Sequence, residues 1–174
     1  MGYDMHFVQR GHDDYFRLNI WGMGTYTQVM FDLGMVYISK SPGGWPEWNR
    51  YPDNQEKQGQ FEAAHAHVKG GEDLAEDVPA DVMATTREYV AQSDEILRHH
   101  ADGSDVIPSH KFDTNDGWIV TPAEILAALA AYDARPDRDE HVLARLGGAD
   151  RKAYWDTWIA YLRRAVDRDG FEVW

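Results

Sequence analysis

The segment YFRLNIWGMG, residues 15–24, combines residue types that hold an anion in many proteins. A short alternating apolar strand runs into Gly22 and Gly24, and a helical pattern follows the second glycine. The free amides at the start of a helix bind anions, so Trp21, Gly22 and Gly24 are candidate binding residues. Thr27 stands where the dinucleotide fingerprint G-x-G-x-x-G needs its third glycine, so that motif is incomplete. A tight strand-to-helix turn with Trp21 packed beneath it is the alternative interpretation.

Asp4 and His6 bring acid–base and metal-binding chemistry to the start of the chain. Because side chains alternate along a strand, both lie on one face of a strand predicted over residues 3–8. With Asp116 and the glycines they would form the site of an enzyme that acts on nucleotides or phosphoesters. Two ligands on one strand are fewer than a catalytic zinc site usually draws from protein. Asp4 is therefore a candidate binding residue and not a predicted metal ligand.

The histidine pair H-x-H, His65 and His67, does not form a metal-binding pattern. On the helix predicted there, a separation of two residues turns the side chains about 200° apart. The motif H-E-x-x-H does not occur in the sequence. The chain has no cysteine, which excludes disulfides, thiolate metal sites and cysteine nucleophiles. We therefore expect neither a metal nor a cofactor.

Aromatic and polar residues on two predicted loops are further candidates for contact with a ligand or a partner. The loop GGWPEW offers Trp45 and Trp48, whose rings can stack on a flat ligand or anchor a protein, or can close the core instead. The turn TNDGW offers Asn115, Asp116 and Trp118. The two polar side chains can also bond their own backbone. Trp118 can belong to the core, because an apolar pair follows it.

The charge is strongly negative and unevenly distributed. The net charge is −13, and residues 53–116 hold 15 acidic and 5 basic groups. Such a surface repels the phosphates of nucleic acid, so no direct nucleic acid binding is expected. The acidic stretch is either a solvated helical face or a surface for a basic partner, including that of a DNA mimic.

Composition predicts a cytoplasmic protein with a packed core. The chain is 43% hydrophobic and carries seven tryptophans. It has no run of about 18 apolar residues that would span a membrane. We also expect no secretory signal, because no basic segment followed by an apolar stretch stands at the start of the sequence.

Local patterns predict an α+β fold, a single helix-rich domain over residues 1–174 with a small, mainly antiparallel sheet. The clearest signal is Thr121 as a helix N-cap, with Pro122 in the first helical position and Glu124 closing a capping box. A capping box is also predicted at Thr25, and a left-handed C-cap is predicted at Gly34, which follows the last apolar position of that helix. The terminal segments are expected to pair in the sheet. Strands are predicted over 3–8, 15–21, 35–39, 171–174 and near Lys111 and Phe112, and helices over 25–34, 55–69, 79–100, 121–132, 138–146 and from 150 to 169.

Four stretches, MGYDM, YFRLNIWGMG, TNDGWIVTPAEI and WIAYLRRAVDRDGFEVW, resemble an uncharacterised family of small proteins. That family is found in high-GC bacteria and their bacteriophages. The resemblance covers both ends of the chain and the region 105–134. It implies a cytoplasmic accessory protein of phage type and transfers no catalytic residue.

The resulting hypothesis is a non-catalytic acidic accessory protein that binds a host protein or a small signalling ligand. An enzyme acting on nucleotides or phosphoesters is the first alternative, and a DNA-mimic inhibitor is the second. The sequence leaves the identity of the ligand and the oligomeric state open.

Overall fold

A computed structural model describes residues 2–9, 15–45, 55–70, 78–101 and 103–174. The chain forms two compact units. The larger unit comprises Met1–Ser41 and His100–Trp174, and the smaller one is Pro42–His99. The prediction that residues 1–174 fold as one domain stays a prediction.

The described residues contain helices and short strands in an α+β arrangement, as the sequence predicts. The strands are β1 (Gly2–Phe7), β2 (Tyr15–Asn19), β3 (Val36–Tyr37), β4 (Ile107–Pro108), β5 (Trp118–Val120) and β6 (Phe171–Val173). The helices are α1 (Ile20–Asp32), α2 (Gln55–Gly70), α3 (Ala80–Leu97), α4 (Pro122–Asp133), α5 (Arg138–Leu146) and α6 (Ala149–Val166). No helix in these ranges is both long and apolar enough for a membrane span.

A four-stranded antiparallel sheet in the order β2-β1-β6-β5 forms the centre of the larger unit. Met5 of β1 pairs with Val173 of β6, so the two ends of the chain meet in the sheet, as predicted. The strand β2 lies at one edge, with Phe16 and Leu18 buried and the alternating residues Tyr15, Arg17 and Asn19 exposed. A separate parallel pair joins β3 to β4.

The helix α6 supplies an aromatic core beneath the sheet. Trp158 and Tyr161 are fully buried, and their rings stack with centroids 5.8 Å apart. Phe171 of β6 lies edge-on to Trp158 at 5.7 Å, and Phe16 of β2 packs on the same ring at 5.1 Å. Aromatic pairs at these distances add stability beyond the area they bury. The core therefore fixes the position of α6 relative to β2.

The start of α4 follows the predicted capping box. Thr121 Oγ1 accepts a hydrogen bond from the Glu124 amide at 3.4 Å, and Glu124 Oε2 accepts one from the Thr121 amide at 2.8 Å. Pro122 occupies the first helical position. Gly34, just beyond α1, has φ of +75°, in agreement with its predicted left-handed position.

The predicted glycine turn is wrong. The helix α1 begins at Ile20, so Gly22 and Gly24 are helical residues, and neither has a positive φ. Asn19 is the N-cap, and its Oδ1 accepts a hydrogen bond from the Gly22 amide at 2.6 Å. The helix therefore begins before the predicted cap at Thr25, because the Asn19 side chain already accepts a hydrogen bond from a first-turn amide. The Thr25 hydroxyl instead donates to the Trp21 carbonyl.

One further prediction near residue 115 is wrong, and the structure also decides whether Trp118 lies in a loop or in the core. The segment Ser109–Phe112, predicted as a strand near Lys111, is a 3-10 helix. The strand forms later, at β5, and buries Trp118, which is only 1% exposed. Trp118 therefore belongs to the sheet and its core and not to a loop, because its apolar run continues into residues that pair with β6.

The smaller unit contains α2 and α3, which pack against each other. Phe61 and Ala64 of α2 form a buried cluster with Val82 and Met83 of α3. Both segments predicted as helices, 55–69 and 79–100, are helical, and the second helix ends at Leu97.

Candidate functional site

A cavity of about 660 Å³ opens in the larger unit beside the start of α1. Its size lies within the range of pockets that hold small ligands. Part of its lining comes from β2 and α1, namely Arg17, Leu18, Asn19, Trp21, Gly22, Thr25 and Tyr26. The remainder comes from α5 and α6, namely Leu146, Asp150, Arg151 and Tyr154. We call this space the α1–α6 cavity.

The first turns of two helices line the α1–α6 cavity. Trp21 and Gly22 lie in the first turn of α1, and Asp150 and Arg151 in that of α6. Amides of a first turn have no acceptor within their own helix and carry partial positive charge. The Asn19 side chain satisfies one of them in α1. In α6 the N-cap is a glycine, which has no side chain to do the same.

Two arginines add full positive charge to this lining. Arg17 is exposed, and its Nε lies 3.6 Å from Asp4 Oδ1. Arg151 donates from Nη1 to the Leu146 carbonyl at 3.1 Å, which holds its guanidinium at the start of α6. Asp150 contributes one carboxylate to the same lining. The side chains of the cavity itself therefore sum to one positive charge on a chain whose net charge is −13.

Tyr26 is the buried polar residue of the cavity. Its side chain is 5% exposed, and no group among the described residues hydrogen-bonds its buried hydroxyl. Burial raises the pKa of the Tyr26 phenol, and the neighbouring Tyr154 and Asp156 raise it further. The hydroxyl therefore stays protonated and able to donate. An unsatisfied buried hydroxyl costs about 1–3 kcal/mol.

Two aromatic side chains border the cavity, of which one is held by a hydrogen bond and the other is exposed to solvent. The Tyr154 hydroxyl donates to the Arg17 carbonyl at 2.5 Å, so this residue ties α6 to the edge strand β2. Trp21 is 85% exposed, which contradicts its predicted position beneath a turn. An indole that protrudes from a first helical turn is a surface for stacking.

The structure brings only some of the sequence-predicted residues to this cavity. Trp21 and Gly22 line it, whereas Gly24 faces other, smaller depressions of the surface. Asp4 is connected to it through Arg17, and its carboxylate also accepts a hydrogen bond from the Tyr15 hydroxyl at 2.5 Å. Asp4 is therefore a partner of residues in β2.

The two polar side chains of the turn before β5 hydrogen-bond the start of the chain and a neighbouring side chain, which differs from the bonding to their own backbone in the alternative interpretation. Asn115 Nδ2 donates to the Gly2 carbonyl at 2.9 Å, and Asp116 Oδ2 accepts from the Thr114 hydroxyl at 2.6 Å. The Trp118 indole donates to the same hydroxyl oxygen at 2.9 Å. Their roles in partner binding stay predictions, although these bonds give each residue a structural task.

Two loop tryptophans and His6 are the remaining candidates. Trp45 belongs to the smaller unit and is exposed, and Trp48 lies outside the described residues. His6 shares a face of β1 with Asp4, as predicted, and its ring packs 5.2 Å from that of Tyr15. Across the described ranges, no set of three or more His, Asp or Glu side chains is grouped as a metal ion would need.

A buried ion pair is the other notable polar feature of the larger unit. Lys111 Nζ lies 2.7 Å from Glu124 Oε1 and 2.7 Å from the Ile119 carbonyl oxygen. His100 Nδ1 is 2.8 Å from the same Glu124 oxygen. These groups join the 3-10 helix to α4 and β5, and Glu124 also caps α4. The cluster therefore has an evident structural role.

No protein-family model, no curated protein and no solved structure matches this chain. Sequence analysis did not single out Arg17, Tyr26, Arg151 or Tyr154. The only local signal was that Arg151 and Tyr154 are three residues apart, which places them on one side of a helix.

Proposed function

We propose that this protein is a non-catalytic binding protein that holds a small ligand in the α1–α6 cavity. One observation carries the proposal: a cavity of about 660 Å³ is lined by Tyr26, whose buried hydroxyl has no hydrogen-bond partner among the described residues. Buried polar groups are nearly always satisfied, and one left without a partner beside a cavity favours a missing acceptor. The resemblance to phage and bacterial accessory proteins is consistent with a binding role.

The lining supports binding more than catalysis. Its polar groups are arginines, an asparagine, one carboxylate and hydroxyls, with no histidine among the described lining residues. The Thr25 hydroxyl donates to the Trp21 carbonyl, and the Asn19 oxygen is used by the Gly22 amide. A nucleophile beside a general base is the signature that the enzymatic alternative needs. A host protein as the partner stays a prediction.

A fragment screen by ligand-observed NMR tests this function. We expect small aromatic fragments to bind the wild-type protein and to lose binding in Thr25→Phe, because Thr25 is exposed on α1 and lines the cavity, which a phenyl ring there would occupy. Thr85→Phe is the matched control. Thr85 is likewise an exposed helical threonine, and its hydroxyl donates to a carbonyl four residues earlier.

The control variant should keep the wild-type fragment binding. Equal binding by Thr25→Phe and wild type would place the fragments elsewhere and contradict the proposal. A folded wild-type protein that binds no fragment at all would contradict it as well.

A further inference from the structure

We propose that the ligand of the α1–α6 cavity is an aromatic phosphate, a flat ring joined to a phosphate group as in a nucleoside monophosphate. This inference rests on the proposed binding function and adds the chemistry of the ligand. Three features of the cavity carry it: the first turns of two helices, the pair Arg17 and Arg151, and the exposed ring of Trp21.

The anionic part of the ligand is assigned to the starts of α1 and α6. Each helix places two first-turn residues in the lining, so the positive ends of both helix dipoles lie at one space, although the Gly22 amide of α1 already donates to Asn19. The guanidinium groups of Arg17 and Arg151 add donors of fixed geometry. A phosphate offers more acceptor oxygens than a carboxylate, and helix amides together with arginine are the groups that bind it in proteins.

The aromatic part of the ligand is assigned to Trp21. This indole is 85% exposed although tryptophan is among the residues that most strongly favour burial. Trp21 lies in the first turn of α1 and lines the same cavity as Arg17 and Arg151. Stacking of a base on an aromatic side chain is tolerant of base identity. The cavity volume of about 660 Å³ accommodates a ligand of this size.

Two carboxylates oppose an anion and make the inference sharply testable. Asp150 lies in the lining itself, within the first turn of α6. Asp4 lies 3.6 Å from Arg17 and shares its charge. If an anion binds here, removing the Asp150 charge must strengthen binding. If only a neutral ring binds, that substitution must have little effect.

Isothermal titration calorimetry with four probes tests the ligand class. The probes are AMP, phenyl phosphate, adenosine and inorganic phosphate. We expect AMP to bind more tightly than adenosine by about tenfold or more, because adenosine lacks the phosphate contacts. We also expect AMP to bind more tightly than inorganic phosphate by about tenfold or more, because inorganic phosphate lacks the ring that stacks on Trp21. The affinity for phenyl phosphate, compared with that for AMP, shows whether any aromatic phosphate binds or whether the nucleoside also makes contacts.

Variants assign each part of the ligand to its residues. Arg151→Gln should weaken AMP and inorganic phosphate by about tenfold while leaving adenosine unchanged, and Trp21→Ala should weaken AMP and adenosine. Asp150→Asn should tighten AMP by a few-fold. Arg163→Gln is the matched control, because Arg163 is an exposed arginine of α6 that pairs with Asp133 away from the cavity. It should change none of these affinities.

The outcomes distinguish the two proposals. Equal affinity for AMP and adenosine, or for AMP and inorganic phosphate, overturns the aromatic phosphate assignment. Neutral fragments that bind in the cavity while AMP does not overturn this assignment and leave the proposed binding function intact. Absence of binding by all four probes and by the fragments overturns both.

Discussion

Lys111 Nζ lies 2.7 Å from Glu124 Oε1, and both side chains are withdrawn from solvent. The pair joins the 3-10 helix to the first turn of α4 beside the sheet. Glu124 also accepts the Thr121 amide, so one carboxylate both neutralises the buried ammonium and caps the helix. Removing either side chain takes away the buried ionic partner of the other, although Lys111 also donates to the Ile119 carbonyl and Glu124 also lies near His100.

Lys111→Met should destabilise the protein by about 3–5 kcal/mol, because it leaves the Glu124 carboxylate buried without its cation. Urea unfolding of the variant and the wild type measures the difference. Arg163→Met is the control, since the Arg163–Asp133 pair is exposed and such pairs contribute at most about 1 kcal/mol. A Lys111→Met protein as stable as the wild type would show that the pair is not buried as described.

Gly24→Ala should stabilise the protein by about 0.5–1 kcal/mol, since glycine inside a helix costs conformational entropy. A Cβ at Gly24 would have no heavy atom within 4 Å, so nothing opposes the gain. Gly34→Ala should destabilise by about 1 kcal/mol or more, because Gly34 has a left-handed φ of +75°. Thermal melts of the two variants should shift in opposite directions. Destabilisation by Gly24→Ala would favour the strand-to-helix turn that the sequence predicts.

Trp21→Ala should leave stability within about 0.5 kcal/mol of the wild type, because the side chain is exposed. Trp118→Ala should cost about 3–5 kcal/mol, because its ring is buried in the sheet. Urea unfolding of both variants compares the same change at an exposed and a buried site. Similar losses in the two proteins would contradict the assigned burial.

The stability of the protein should fall as the pH is lowered through the range in which histidine titrates, partly because of His65. Burial lowers the pKa of the His65 imidazole and nearby Lys69 lowers it further, against the opposing effect of Asp94. The unfolded chain therefore binds a proton at this residue at a higher pH than the folded chain does. The His65 contribution is full above about pH 6.5 and is lost as the pH falls through that value towards the folded pKa.

Denaturant unfolding of wild type and His65→Gln at pH 7.5 and pH 5.5 measures this contribution. The loss of stability between the two pH values should be smaller in the variant, since it has no imidazole to protonate at this position. An equal loss in both proteins would exclude His65 as a source of the pH dependence.

Local signals predicted the start of α4 and the end of α1, whereas the cavity depends on contacts between residues that are far apart in the sequence. Thr121 and Gly34 act within a few residues of themselves, so their roles follow from sequence alone. The start of α1 was misassigned because Asn19 and Thr25 are both acceptable caps, and only the helix itself shows which one is used.

The residues that line the cavity could not be predicted together from the sequence, because they come from segments far apart in the chain. Tyr26 and Arg151 are far apart in the sequence, and the ring contacts of Tyr26 with Trp155 and Tyr154 are what join α1 to α6. The sequence did predict Trp21 and Gly22 as binding residues, because a strand, two glycines and a helix occur in order there. Neither periodicity nor composition identifies the residues of α5 and α6 that line the other side of the cavity.

A crystal structure of the protein soaked with AMP tests the central claim most directly. We predict ligand density in the α1–α6 cavity, with an acceptor within hydrogen-bond distance of the Tyr26 hydroxyl, the ring against Trp21 and the phosphate near Arg151. An empty cavity in crystals of a protein that binds AMP in solution, or density at another surface, would contradict the account.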